Sequence, residues 1–115
     1  MTTVIYGINN CESVKKAKLW LTENKIEFSF HDFRKNGLHE DIVHKWTKQI
    51  QWESLLNRRG TTWRGIEQKI KDQIHDTNIV NFLCKNPTVI KRPVLERGER
   101  LIVGFNETNY GEFFK

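Results

Sequence analysis

The chain has 115 residues, with 19 Lys and Arg against 14 Asp and Glu, for a net charge of +5. That length suits one compact domain, 1–115, large enough to keep a core without metal or crosslinks. The charge balance and the content of Trp, Phe and Ile exclude a disordered chain, two cysteines exclude a disulfide scaffold, and no apolar run is long enough to span a membrane.

Val4-Ile5-Tyr6, ended by Gly7 and the turn residues Asn9-Asn10, reads as a buried strand. From Cys11 to Asn24 the period changes: Val14, Ala17, Trp20 and Leu21 share one face, and Lys15, Lys16, Lys18 and Glu23 take the other. This is an amphipathic helix with Asn10 as its candidate cap. Ile26, Phe28 and Phe30 alternate with polar residues, as a strand does. The first thirty residues thus read β-α-β, which favours a parallel pair.

Asn36-Gly37 breaks the chain, and His39–Gln49 reads as a helix with Ile42, Val43 and Trp46 inward. Trp52, Leu55 and Leu56 suggest a short helical turn, followed by a polar loop over Arg58–Thr62. Trp63–Ile74, with Ile66, Ile70 and Ile74 inward, and Asn78–Lys85 are two further predicted helices. Asn86-Pro87 and Arg92-Pro93 mark a loop. Val94-Leu95 and Leu101–Val103 are predicted strands around an Arg97–Arg100 hairpin turn, and Asn106–Phe114 closes the chain as a helix. The order, β-α-β, helical block, β-β-α, is that of an α/β thioredoxin-like fold with a helical insertion at approximately 37–85. Periodicity by itself leaves α+β alternatives open.

Cys11 is the candidate reactive residue. It lies where a strand-turn meets a helix N-terminus, and unpaired N–H groups there favour a thiolate. Lys15, one turn on, adds positive potential on the same face. Cys84 sits in the apolar run Ile79–Leu83 and reads as core filling; whether it pairs with Cys11 is left open. Cysteines and histidines show no metal-ligand spacing. Residues 1–56 hold 8 basic and 7 acidic side chains and residues 57–115 hold 11 and 7, so the positive excess lies in the second half. It is either a solvated face or a surface for an anion or an acidic partner. Arg59 and Arg92 stand out because guanidinium forks hold oxyanions and carboxylates bidentately. Nothing resembles a groove-reading motif, so nucleic acid is not an expected partner.

The segment Tyr6-Gly7-Ile8-Asn9-Asn10-Cys11-Glu12-Ser13-Val14-Lys15-Lys16-Ala17 resembles the active-site segment of the arsenate reductase (ArsC)/Spx family, in its YffB-type branch. Trp52–Arg64 is similar to that branch's central motif and Asn86–Leu95 to its third. The resemblance runs in order over essentially the whole chain. It implies a thioredoxin-like fold with one reactive thiol at Cys11. It also implies substrate- or anion-binding roles for Asn10, Lys15, Arg59, Arg92 and Pro93, with Pro93 at the cis-proline position of such folds. In the arsenate reductases the thiolate attacks an oxyanion and glutathione resolves the adduct. In the YffB-type branch the proposed role is a glutathione-dependent thiol reductase.

Two departures bear on function. The classical reductases have a His four residues before the Cys and an Arg four after, where this chain has Gly7 and Lys15. Gly7 removes a partner for the thiolate and argues against arsenate itself as substrate. The Spx regulators, which bind RNA polymerase, sense oxidation through a Cys-x-x-Cys pair, and here the position three after Cys11 is Val14. The expected activity is therefore a reductase of thiol mixed disulfides, disulfides or oxyanions, with one nucleophilic cysteine. Glutathione is the co-substrate, with no tightly bound cofactor and no metal. The alternative is a Spx-like adaptor docking RNA polymerase or another acidic protein. The start of the chain carries no signal-peptide pattern, so a reducing cytoplasm is the expected compartment.

Overall fold

The computed structural model describes all 115 residues, which divide into two compact units: Met1–Asn36 with Arg92–Lys115, and Gly37–Lys91. No helix is long and apolar enough to cross a membrane.

The first unit is built on a four-stranded sheet: β1 (Thr3–Gly7), β2 (Ser29–Asp32), β3 (Val94–Arg97) and β4 (Arg100–Val103), in the order β2-β1-β3-β4. β1 pairs parallel with β2, from Val4↔Ser29 to Gly7↔Asp32, and antiparallel with β3, from Thr3↔Arg97 to Tyr6↔Val94. β3 and β4 form the predicted hairpin, whose turn contains Gly98 at φ +62°. Helices α1 (Glu12–Glu23) and α7 (Glu107–Phe113) are joined with the sheet in one core of Ile5, Val14, Ala17, Leu21, Leu95, Tyr110 and Phe113. Ile5 and Leu95 face each other across β1 and β3, and the apolar stripe of α1 meets them. Trp20, Phe105 and Phe114 pack their rings around Tyr110. Asn106 caps α7, its side chain accepting the Asn109 amide at 3.1 Å.

Two elements of this unit differ from expectation. Residue Asn10 has φ 64°, in the left-handed region, whereas a cap residue needs extended backbone; Cys11, at φ −107° and ψ 122°, takes the cap position instead. β2 begins at Ser29 rather than Ile26, its first residue paired with Val4 of β1. Ile26 and Phe28 still pack against the core, as irregular chain. A single helical turn, α2 (Phe33–Asn36), follows β2 directly.

The second unit is helical. It contains α3 (Glu40–Gln49), a 3-10 turn (Trp52–Leu55), α4 (Thr61–Arg64), α5 (Gln68–Lys71), α6 (Ile79–Lys85) and a second 3-10 turn (Pro87–Val89). α3 packs on α6, and Val43, Trp46, Leu55, Ile79, Leu83, Val89 and Ile90 are buried. The predicted helix over Trp63–Ile74 is broken into α4 and α5. Gly65 closes the first, and Glu67, extended at ψ 140°, opens the second. Ile70 is consequently 45 % exposed rather than inward.

Candidate active site

The end of the sheet where β1 finishes gathers most of the predicted site. β1 runs through buried Gly7 and Ile8 into exposed Asn9 and Asn10, then Cys11. Gly7 sits against α1 so closely that a Cβ there would lie 2.7 Å from Val14 Cγ2. That contact seats the first turn of α1 on the strand and fixes the height of its cap residue, Cys11. The Cys11 carbonyl accepts the Lys15 amide at 3.0 Å, and no side-chain bond caps the helix. A half-buried, free thiol thus stands at the positive end of a 12-residue helix. Lys15 is exposed, and its Nζ lies 3.7 Å from Glu12 Oε1, so its charge is shared with an exposed carboxylate one turn back.

Because Tyr6 pairs with Val94, the Arg92-Pro93 step that precedes β3 lies at the same sheet end as the Cys11 loop. The Arg92–Pro93 peptide bond is cis. Pro93 is buried and its carbonyl accepts the Gly104 amide at 2.8 Å; Arg92 is half-buried. Asn10, Cys11, Arg92 and Pro93 are therefore gathered at one edge of the first unit, with Lys15 a turn along α1.

Arg59 belongs to the second unit. There an isolated bridge, Leu56↔Ile90, is reinforced by Asn57 N–H to Val89 O at 2.8 Å and Lys91 N–H to Leu55 O at 2.7 Å. It brings the Arg58-Arg59 turn beside Lys91, around a cleft of about 570 Å³ that Ser54, Asn57 and the carboxylate-bearing Glu53 also line, so that three cations face one acidic residue. Three cations on one cleft make a surface suited to carboxylates or phosphates. Arg58 adjoins Arg59 in sequence, whereas Lys91 is brought beside them only by the bridge between distant segments.

Cys84 is free and half-buried in α6. Burial, and secondarily the nearby Glu40 carboxylate, push its thiol above the ordinary value. That agrees with a packing role for this residue. A separate groove of about 510 Å³, between α1 and the start of α7, is lined by Ser13, Lys16, Trp20 and Phe105 and does not include Cys11.

A residue missed in the sequence is Asp32, the last of β2. It is 5 % exposed and accepts the backbone amides of Arg34 (2.8 Å), Asn9 (3.2 Å) and Lys35 (3.3 Å). Burial pushes its carboxyl up, but the three amides and the Lys35 charge outweigh it and hold the group below the usual carboxylate range. The sequence signal was an Asp placed just before a helical turn, an arrangement that bonds nearby amides.

Comparison with known proteins agrees with this architecture. The ArsC family model matches residues 6–113, and the chain belongs to that family. The solved structure of the YffB protein superposes with a TM-score of 0.90 at 37 % identity, covering 96 % of this chain and 97 % of that one. An arsenate reductase (ArsC) related protein from Brucella melitensis gives a TM-score of 0.77 at 39 % identity, covering 100 % and 96 %. The global transcriptional regulator Spx of Streptococcus mutans is 24 % identical over 106 residues, which span 90 % of this chain and 77 % of Spx. The thioredoxin-like α/β fold expected from the element order is the fold observed.

Proposed function

We propose that this chain is a glutathione-dependent reductase whose single nucleophile is Cys11, acting on glutathione mixed disulfides or on an oxyanion. The observation that carries the reading is the position of Cys11: a half-buried free thiol capping α1, at the positive end of the helix, on a loop fixed by Asn10 and Gly7. With a mixed disulfide, the Cys11 thiolate attacks the glutathionyl sulfur. The sulfur–sulfur bond breaks, the substrate thiolate leaves and takes up a proton, and Cys11 holds glutathione as a new disulfide. A second glutathione thiolate then attacks that disulfide, releasing oxidised glutathione and restoring Cys11. One glutathione thiol is thereby oxidised for each substrate thiol freed, since the other glutathionyl sulfur entered already as a disulfide. Arg92 supplies a cation for a carboxylate of glutathione or for a developing anion, and the Arg59 cleft is, within its own unit, a further candidate anion surface. Asn10, Lys15 and Pro93 shape and charge the approach to the sulfur. Such chemistry belongs in a reducing compartment, and we assign the chain to the cytoplasm on that ground.

The test is substitution of each cysteine. Cys11→Ser abolishes reduction of a glutathionylated peptide, and Cys84→Ser retains most of it. Without free glutathione, the wild-type chain stops after one equivalent, with Cys11 carrying glutathione by mass spectrometry. A Cys84→Ser variant equally inactive and correctly folded refutes the single-thiol mechanism.

The likeness to Spx, over 90 % of this chain, favours one second reading: an adaptor whose basic surface docks RNA polymerase or another acidic protein. A folded Cys11→Ser variant that still binds such a partner, from a chain without reductase activity, selects this reading over the first.

A further inference from the structure

Asp32 ends β2 opposite Gly7, at the sheet end where β1 passes into the Cys11 loop. It is a buried charged side chain, and its two oxygens serve two different segments. Oδ1 accepts the amides of Arg34 and Lys35 and so caps α2; Oδ2 accepts the amide of Asn9. Capping a four-residue helical turn needs only one acceptor, which an Asn or Ser supplies equally well. The second oxygen is the part that capping leaves unexplained. Its bond holds the peptide just before Asn10, the residue in the left-handed conformation, and the next residue is Cys11. Asn9 and Asn10 are both exposed, so little packing fixes this turn.

We propose that Asp32 is the positioning residue for Cys11: its carboxylate anchors the Asn9 amide, and through the Asn9-Asn10 turn it sets where the thiol stands at the start of α1. The proposal deepens the reductase reading, since it rests on Cys11 being the reactive thiol. It also has a definite sign. As a mere nearby charge, Asp32 would disfavour the thiolate, and neutralising it would speed the thiol's reactions. As a positioning group, its loss slows them.

The experiment measures alkylation of Cys11 by iodoacetamide across neutral pH, well below the melting temperature, with mass spectrometry reading Cys11 and Cys84 separately. Asp32→Asn keeps one acceptor oxygen for α2 but turns an amide donor toward the Asn9 N–H. Asp32→Ser keeps a hydroxyl for the cap but is too short to reach Asn9. Both variants are expected to slow Cys11 alkylation by at least about fivefold, since small misplacements at a reacting centre are costly. The Cys84 rate stays unchanged. A faster Cys11 shows a purely electrostatic role, and a lower melting temperature with both rates unchanged shows a purely structural one; either overturns the proposal. Should neither variant fold, amide hydrogen exchange on the wild-type chain decides. Protection of Asn9 well above that of Asn10 supports the anchor, and equal, free exchange refutes it. Alkylation requires no glutathione. A slowed thiol in a chain without glutathione-dependent activity leaves the positioning role standing and removes the reductase reading, whereas an active reductase with an unslowed Asp32→Asn does the reverse.

Discussion

Replacing Gly7 with Ala tests how the thiol is held. The added Cβ would stand 2.7 Å from Val14 Cγ2, about 1 Å inside an ordinary carbon–carbon contact. Val14 is 1 % exposed and belongs to the core under α1, so it cannot swing aside into solvent. Overpacking of this kind costs about 1–3 kcal/mol. Loss of glycine's freedom in the unfolded chain returns about 0.4–1 kcal/mol. The net expectation is a destabilisation of about 1.5 kcal/mol, a fall of roughly 6 °C in melting temperature for a chain of this size. If the helix relieves the clash by moving off the strand, Cys11 moves with it, and alkylation of that thiol slows as well.

Adding Val14→Ala supplies the control. That change alone opens a cavity and costs about 2 kcal/mol. In its background Gly7→Ala meets no methyl group and becomes neutral or slightly stabilising. The double-mutant cycle, read by denaturant unfolding, therefore has a coupling of about 2 kcal/mol in the compensating direction. A coupling below about 0.5 kcal/mol would refute the claim that this contact seats α1. The same geometry bears on substrate: a His at position 7, as in the classical arsenate reductases, would direct its Cβ into the space Val14 occupies.

Arg92→Gln keeps the side-chain length and removes the charge, and is expected to raise the KM for glutathione about tenfold, the effect of losing one charge-assisted hydrogen bond of roughly 1.4 kcal/mol; steady-state kinetics with an unchanged KM would return Arg92 to a solvated surface role. Burial first, and the Glu96 carboxylate 3.3 Å from its hydroxyl second, push Tyr6 up to about 12. Its folded value lies above the unfolded value of about 10, so stability is intact below pH 10 and falls as pH climbs from there through 12; Glu96→Gln should move the ultraviolet titration of Tyr6 downward. Tyr110→Phe removes a fully buried hydroxyl with no protein hydrogen-bond partner, and thermal unfolding should show a chain unchanged or up to about 2 kcal/mol more stable; a loss above 1 kcal/mol would show that the hydroxyl is bonded.

What could be read from sequence is what nearest neighbours decide. The apolar run Val4-Ile5-Tyr6, the stripe Val14-Ala17-Leu21, the Gly98 turn and the closing helix carry their own physical cause, and each stands where its pattern placed it to within a residue. The place of Cys11 at the start of α1 was legible for the same reason, because a strand-turn running into a helix is a local event. The Asn10 cap failed on one dihedral angle, since Asn accepts both the cap and the left-handed conformation and composition does not choose between them. The long helix over 63–74 failed because three isoleucines at helical spacing outweighed Gly65, which ends α4. Asp32 and the Lys91–Arg59 cleft were beyond reach. One needs amides from residues 9, 34 and 35 converging on a single carboxylate, and the other needs the bridge between Leu56 and Ile90.

The residue three after Cys11 links packing to chemistry. Where the Spx regulators carry a second cysteine, this chain has Val14, and the position is a core position pressed on Gly7 rather than an open face of α1. The first turn of the helix therefore offers Cys11 no sulfur partner, and the space that one would occupy is already used to bind helix to strand. The other thiol, Cys84, is pushed upward by burial and by Glu40, so a smaller share of it is thiolate at neutral pH. A disulfide formed at Cys11 consequently meets its most able resolving nucleophile in solution. Under the proposed reading that thiol is glutathione, with a carboxylate suited to the Arg92 guanidinium. If Cys11 is the reductase nucleophile proposed above, an external thiol is expected to resolve it, because the packing of α1 on β1 leaves no second sulfur in the helix's first turn.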